Sequence, residues 1–167
     1  MAEVINDLRA LSRPAAYREI EIQLEALIDG LRDEVAVMAT VSALLHHSFG
    51  HLWTGFYRVV EPELLRIGPY QGSLGCLEIG FGQGVCGTAA MRRESIIVDD
   101  VEIFPGHIAC DARARSEIVV PVFAEDDHLV AVLDIDSDRP RAFNDDDRTG
   151  LEGLLTRIRY AVGKPAS

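Results

Sequence analysis

The sequence predicts an α+β fold, on the basis of three regions that differ in periodicity. Apolar residues near the N-terminus recur at helical spacing, the middle is rich in strand-forming segments separated by turn residues, and the C-terminal part is again helical. Helices followed by an antiparallel sheet and a closing helix are typical of this class. At 167 residues the chain is long enough for one domain with a real core, so we expect a single domain over 1–167.

Two amphipathic helices are predicted at the start of the chain. One lies within an N-terminal helical segment of about 1–30, and the other follows it. The first runs from about Ala15 to Ile28, because Ser12-Arg13-Pro14 provides a start signal and Gly30 a stop signal. The second runs from about Asp33 to His47. Its apolar residues fall at helical spacing: Met38, Val41, Leu44 and Leu45.

The middle of the chain predicts a hairpin and then a short helix. Strands are expected over 53–60 and 63–70, on either side of a Glu61-Pro62 turn. A helix of about Val85 to Arg93 follows a glycine-rich stretch, and a strand follows over 95–98. The segment from Asp99 to Arg113 is expected to be irregular.

Two strong strands and a helix complete the predicted order. The strands cover Glu117–Ala124 and His128–Asp136, joined by Glu125-Asp126-Asp127. The final helix runs from about Asp145 to Val162 with Asn144 as its N-cap, and residues 164–167 form a loose tail.

Charge and composition exclude several functions. A formal net charge of −11 argues against nucleic-acid binding, because phosphate contacts need Lys and Arg. The N-terminus lacks a basic segment followed by an apolar one, and no apolar run is long enough to span a membrane. We therefore expect a cytoplasmic protein with no membrane partner, in which thiols are reduced unless they take part in chemistry.

Three cysteines, Cys76, Cys86 and Cys110, predict thiol redox chemistry. They fall in glycine-rich or loop-like stretches, whereas inert thiols usually lie within apolar elements. An odd number prevents complete internal pairing, which favours a nucleophile with one or two partners that resolve it. No pair has the short spacing of common zinc sites, so no metal is expected.

Three carboxylates are predicted to converge at the open end of the last hairpin. If Asp126-Asp127 is the centre of the turn, Ala124 faces Leu129 and Glu117 faces Asp136. Directly opposed residues point to the same face, and Asp134 shares that face because it lies two residues from Asp136. Both strands are otherwise apolar on both faces, so the acids are expected to border a pocket.

An aromatic pair and a histidine are the remaining candidates. Trp53 and Tyr57 lie four residues apart on one strand and should share a face. His107 lies three residues before Cys110, where it can favour the thiolate or hold the loop by a hydrogen bond.

These residues together resemble the free methionine-(R)-sulfoxide reductases, a GAF-domain enzyme family. The matching segments are Trp53-Thr54-Gly55-Phe56-Tyr57, Gly68-Pro69-Tyr70-Gln71-Gly72, Cys76, Gly84-Val85-Cys86-Gly87, Gly106-His107-Ile108-Ala109-Cys110-Asp111, Ser116-Glu117-Ile118-Val119-Val120-Pro121 and Leu133-Asp134-Ile135-Asp136-Ser137. The resemblance implies a GAF domain with a central antiparallel sheet and helices on both sides, often dimeric. It also implies reduction of free methionine R-sulfoxide, with thioredoxin as electron donor and no bound cofactor.

The residues assign roles within that chemistry. Cys110 is the expected nucleophile because it is the thiol nearest in sequence to the acids, which leaves Cys86 and Cys76 to resolve it. The reverse assignment, with Cys86 attacking, stays open because a thiolate is also favoured near the start of a helix. One of the three carboxyl groups is the expected proton donor, with Glu117 favoured over Asp134 and Asp136, and backbone N–H groups of the glycine-rich stretch are expected to hold the substrate carboxylate.

The remaining candidates are expected to bind substrate. Asp134 and Asp136 would bind the ammonium group, while Trp53 and Tyr57 would form an apolar wall for the S-methyl group. Two other functions fit the same fold: a sensory GAF module that binds a small ligand, or a redox switch that uses the disulfide as its signal.

Overall fold

A six-stranded antiparallel sheet forms the centre of the computed structural model, which describes residues 4–163. The predicted loose tail over 164–167 lies outside the described residues. The helices are α1 (Arg13–Ile28), α2 (Glu34–Phe49), α3 (Gly84–Arg92) and α4 (Asp145–Arg157). The strands are β1 (Trp53–Glu61), β2 (Leu64–Gln71), β3 (Glu78–Gly80), β4 (Ile96–Val98), β5 (Ser116–Phe123) and β6 (Leu129–Ser137), in the spatial order β3-β2-β1-β6-β5-β4.

Helices cover both faces of this sheet, as expected. On one face α1, α2 and α4 pack together over the inward residues of the sheet, such as Phe56 and Ile118, and form the larger core. On the other face α3 packs over Val119 and Val132 and forms a smaller core. The smaller core leaves room for a pocket, because one nine-residue helix and irregular loops cover that face. Within residues 4–163 no helix is long and apolar enough to cross a membrane.

The start of α4 is capped by the side chain of Asn144. Asn144 accepts hydrogen bonds from the backbone of Asp146 and Asp147, and the side chain of Asp147 accepts one from the Asn144 backbone. This reciprocal arrangement is a capping box, so the predicted N-cap is confirmed. The predicted end of that helix at Val162 is wrong, because α4 stops at Arg157 and tight turns follow it.

The first hairpin differs from the prediction at its turn. Glu61 pairs with Leu64, so the turn residues are Pro62 and Glu63 and the expected Glu61-Pro62 turn is wrong by one position. Glu63 adopts a φ of 58°, which closes the tight connection. Strand β3 was also missed, because a three-residue edge strand carries too little periodicity to recognise.

The second hairpin places the acids where the sequence predicted. Glu117 pairs with Asp136 across β5 and β6. The predicted pairing of Ala124 with Leu129 is wrong, since Phe123 pairs with Leu129 after a register shift beside Val122. This bulge lies at the turn end of the hairpin, so it leaves the register at the open end unchanged.

Candidate active site

A pocket lies on the α3 face of the sheet, enclosed by α3 and two loops. The loops are the segment after β2, over 72–77, and the irregular segment over 104–114. The cavity volume is about 30 Å³. Its walls include every site residue that the sequence singled out except Cys76: Trp53, Tyr57, Cys86, Cys110, Glu117, Asp134 and Asp136.

Three carboxyl groups form one side of this pocket. Glu117 and Asp134 are buried, with 5% and 6% of their surfaces exposed, and Asp136 is partly buried. Burial, reinforced by the neighbouring acids, raises the pKa of all three carboxyl groups well above their ordinary values. The predicted acidic cluster is therefore present, and its members favour the neutral, proton-carrying form.

The thiol of Cys86 lies among these acids. Cys86 is in the first turn of α3, and its Sγ is 3.9 Å from Oε1 of Glu117. Burial, with the charges of Asp134 and Glu117, raises the pKa of this thiol well above its ordinary value. The expectation that the helix start favours a thiolate is wrong here, because loss of solvation and nearby acids outweigh the helix dipole.

The other two cysteines form a disulfide at the rim of the pocket. Cys76 and Cys110 are bonded with their Cα atoms 5.4 Å apart, and both residues are partly exposed. Cys76 lies in the loop after β2, and Cys110 belongs to the irregular segment before β5. All three cysteines lie in the described range, and Cys86 is the one outside the disulfide.

His107 approaches the acidic cluster through Glu117. Its Nε2 lies 3.6 Å from Oε2 of Glu117, and burial lowers the pKa of the imidazole. Sequence reasoning related His107 only to Cys110. Its contact with Glu117 depends on how the irregular segment folds over β5, for which the sequence offers no periodic signal.

The aromatic residues line the pocket wall as a stack. The rings of Trp53 and Tyr57 are 5.7 Å apart and nearly parallel, and Tyr70 stacks on Trp53 at 5.2 Å. The indole Nε1 donates a 3.0 Å hydrogen bond to the carbonyl of Ser73. Gly55 lies between Trp53 and Tyr57 on the same face, and its missing side chain gives the indole room, since a Cβ there would lie 2.6 Å from the ring.

Comparison with known proteins assigns the family. A family model described as GAF domain matches residues 32–162. A free methionine-R-sulfoxide reductase of Escherichia coli (strain K12) is 38% identical over 153 residues, which cover 91% of this chain and 92% of that protein. A free methionine-R-sulfoxide reductase of Saccharomyces cerevisiae is 38% identical over 164 residues, covering 94% and 91%. The chain belongs to this family of GAF-domain reductases.

Solved structures related to these reductases share the fold over nearly the whole chain. The free methionine-R-sulfoxide reductase of Neisseria meningitidis, in complex with its substrate, is 38% identical, covers 92% of both chains and has a TM-score of 0.87. The reduced form of fRMsr from Staphylococcus aureus is 40% identical, with a TM-score of 0.82 over 88% of this chain and 95% of that one. The family resemblance and the GAF fold that the sequence indicated are thus confirmed, and the chain is an oxidoreductase of this family.

Proposed function

We propose that this chain reduces free L-methionine R-sulfoxide to methionine, with Cys110 as the nucleophile and Cys76 as the thiol that resolves it. The observation that carries this proposal is the Cys76–Cys110 bond at the rim of a pocket lined by buried, neutral acids. The reductases from Escherichia coli and Saccharomyces cerevisiae support the choice of substrate.

The reaction requires two thiols and one proton donor. The Cys110 thiolate attacks the sulfoxide sulfur, the sulfoxide oxygen is transferred to Cys110 with a proton, and methionine leaves while Cys110 becomes a sulfenic acid. The Cys76 thiolate then attacks the sulfenic sulfur, and hydroxide leaves as water once protonated. The disulfide that forms has taken up the two oxidising equivalents of the sulfoxide.

Glu117 is the proposed proton donor. Burial and the charge of Asp136 raise its pKa, which favours the protonated carboxyl. A neutral acid facing the pocket can protonate the sulfoxide oxygen as its bond to sulfur breaks. His107 Nε2 lies 3.6 Å from the other carboxyl oxygen.

The other polar and aromatic walls fit a zwitterionic amino acid. Asp134 and Asp136 would bind the ammonium group, and its positive charge would favour their ionised form. The α3 N-terminus lines the pocket through Gly84 and Val85, and its free N–H groups suit a carboxylate. Trp53 and Tyr57 would pack on the S-methyl group.

Cys86 is proposed to be a neutral donor to the acids, outside the redox pair. A thiol that is buried among carboxyl groups forms a thiolate only at a high energetic cost. The assignment in which Cys86 attacks and Cys110 resolves is therefore not favoured. The Cys86→Ser variant would keep a hydroxyl donor at the same position and should complete full redox cycles.

Thioredoxin is the proposed electron donor, and no bound cofactor is required. The Cys76–Cys110 disulfide is partly exposed, so an external dithiol can attack it. A cytoplasmic, homodimeric protein remains a prediction, to be checked by fractionation and by light scattering. A thioredoxin-dependent cycle predicts consumption of reductant in step with methionine release.

Single turnovers on cysteine variants test the assignment. Reduced wild-type protein should release one methionine per chain and form the Cys76–Cys110 disulfide, identified by mass spectrometry. Cys76→Ser should still release one methionine but leave a trappable sulfenic acid on Cys110, and Cys110→Ser should release none. No turnover of either sulfoxide epimer by the wild type would overturn the function, and methionine release by Cys110→Ser would overturn the nucleophile.

A further inference from the structure

Three side chains of the types that bind zinc meet at the pocket wall. Ligand atoms of Cys86, Glu117 and Asp134, which are all buried, lie within 4.8 Å of one another. Thiolate and carboxylate are both ligand classes of protein zinc sites.

The sulfur–oxygen separation in this cluster is close to that in a tetrahedral zinc site. Bond lengths of about 2.3 Å to sulfur and about 2.0 Å to oxygen imply a separation of roughly 3.5 Å for S···O. Cys86 Sγ is 3.9 Å from Glu117 Oε1. A shift of a few tenths of an ångström, within the reach of side-chain rotation, would place this pair on one ion.

One oxygen in the cluster independently points to a ligand. Oδ1 of Asp134 is buried and has no hydrogen-bond partner among residues 4–163. Asp134 lines the pocket and is 6% exposed. A buried oxygen without a partner is costly, so this lone pair is available to a cation.

We propose that the reduced protein binds one Zn²⁺ through Cys86, Glu117 and Asp134, and that this ion and the sulfoxide exclude each other. The S–H bond of Cys86 and the O–H bonds of the protonated carboxyl groups break, their protons pass to solvent, and Zn–S and Zn–O bonds form with no change of oxidation state. The ion and the sulfoxide would exclude each other because both need Glu117 and Asp134. This exclusion rests on the proposed function, whereas the metal site itself does not. Free zinc would then inhibit the enzyme by occupying its active site.

Cobalt(II) replaces zinc as the probe, because a cobalt–thiolate bond gives a strong near-ultraviolet charge-transfer band. In Cys76→Ser/Cys110→Ser the remaining thiol is Cys86, and no disulfide can form. This variant should bind one Co²⁺ per chain with a thiolate band, and the further change Cys86→Ser should abolish the band. Absence of the band in the double variant, shown to be folded by circular dichroism, would overturn the site.

The single variant Cys86→Ser gives a second measurement in case the double variant is unstable. Competition with a chromogenic zinc indicator, in the presence of a non-thiol phosphine reductant, should show zinc affinity at least about tenfold weaker than in the wild type. Unchanged affinity, with the cobalt–thiolate band retained, would place the metal on Cys76 and Cys110 and overturn the proposal.

Displacement by substrate separates the metal site from the function. Methionine R-sulfoxide added to the cobalt-loaded double variant should remove the thiolate band, and the S epimer should do so less effectively. Cobalt binding without displacement would leave the metal site standing and count against the proposed substrate. Turnover by the wild type with no cobalt binding would overturn the metal site and leave the function standing.

Discussion

The hydroxyl of Ser73 donates a 2.6 Å hydrogen bond to Oδ2 of Asp111, across the same two loops that the Cys76–Cys110 disulfide joins. Arg113 holds the same carboxylate through side-chain bonds, which are the main reason that the pKa of Asp111 is lowered. Because this contact is independent of the disulfide, we expect it to keep the two loops together after reduction.

Ser73→Ala should slow formation of the disulfide without slowing the first release of methionine. Losing a hydrogen bond to a charged group lets the Cys76 loop move away from Cys110, and we expect disulfide formation about tenfold slower. Rapid-quench measurements of methionine and of trapped sulfenic acid distinguish the two steps. Ser95→Ala is the matched control, since Ser95 makes an equally short 2.6 Å bond to exposed Glu152. Equal slowing of both steps would contradict the positioning role.

Glu117→Gln should stabilise the folded protein at neutral and alkaline pH while reducing activity. Burial raises the folded-state pKa of Glu117 well above its ordinary value of 4.5. Stability that depends on the neutral form is therefore fully present below about pH 4.5 and is lost as pH rises through the folded pKa. Because Gln cannot ionise, the variant does not lose this stability as pH rises.

The measurement is Tm of wild type and Glu117→Gln from pH 4 to 9. A gain of even 1 kcal/mol would raise Tm by about 2–4 °C at high pH, with the difference vanishing near pH 4. Asp147→Asn is the matched control, because buried Asp147 accepts a hydrogen bond from Tyr17 and pairs with Arg13. That variant should lose stability at neutral pH. A Tm difference independent of pH would refute the linkage.

Gly55→Ala should displace the indole of Trp53 and weaken substrate binding. A Cβ at this position would lie 2.6 Å from the Trp53 ring and would also overlap Tyr70. We expect a KM about tenfold higher and a stability loss of about 1–3 kcal/mol. Trp53 is the one tryptophan of the chain, so intrinsic fluorescence reports its displacement directly.

Gly153→Ala provides the comparison for this variant. Gly153 lies within α4, and a Cβ there would approach only a carboxylate oxygen of Glu21 at 3.3 Å. Alanine is the better helix former by about 1 kcal/mol, so stability should hold or rise. Unchanged fluorescence and KM in Gly55→Ala would show that the indole does not form the substrate wall.

Asn144→Ala should destabilise the fold without changing activity at room temperature. Its side chain completes the capping box at the start of α4, and it is not among the residues that line the pocket. Loss of such a cap costs about 0.5–2 kcal/mol, which lowers Tm by a few degrees. Ser12→Ala is the control, because the Ser12 side chain makes no cap hydrogen bond in the described part of the chain. Equal Tm values for the two variants would contradict this account.

Local patterns were sufficient to place the acids. The alternation of side chains in a strand, combined with a turn at Asp126-Asp127, puts Glu117 opposite Asp136 and Asp134 on the same face. The bulge beside Val122 was not foreseen, yet it lies at the turn end of the hairpin and does not affect the acids. Successive side chains of any strand point to opposite faces, so this part of the site could be predicted from the sequence.

The cysteines required the tertiary structure. The sequence predicted thiol chemistry but left Cys76 and Cys86 as equal partners for Cys110. Pairing of β1 with β6 brings the loop after β2 against the irregular segment before β5, and this sets Cys76 beside Cys110 although they are 34 residues apart. The helix that carries Cys86 packs over the acids on β5 and β6, so its thiol loses solvent and stays protonated.

The sequence by itself therefore determined the fold class, the family and the face on which the acids lie, because these follow from periodicity and local motifs. Only the tertiary structure decided which thiols meet and which is buried. Contacts between distant loops and the loss of solvation at one thiol depend on how the whole sheet is assembled, and no local pattern encodes them.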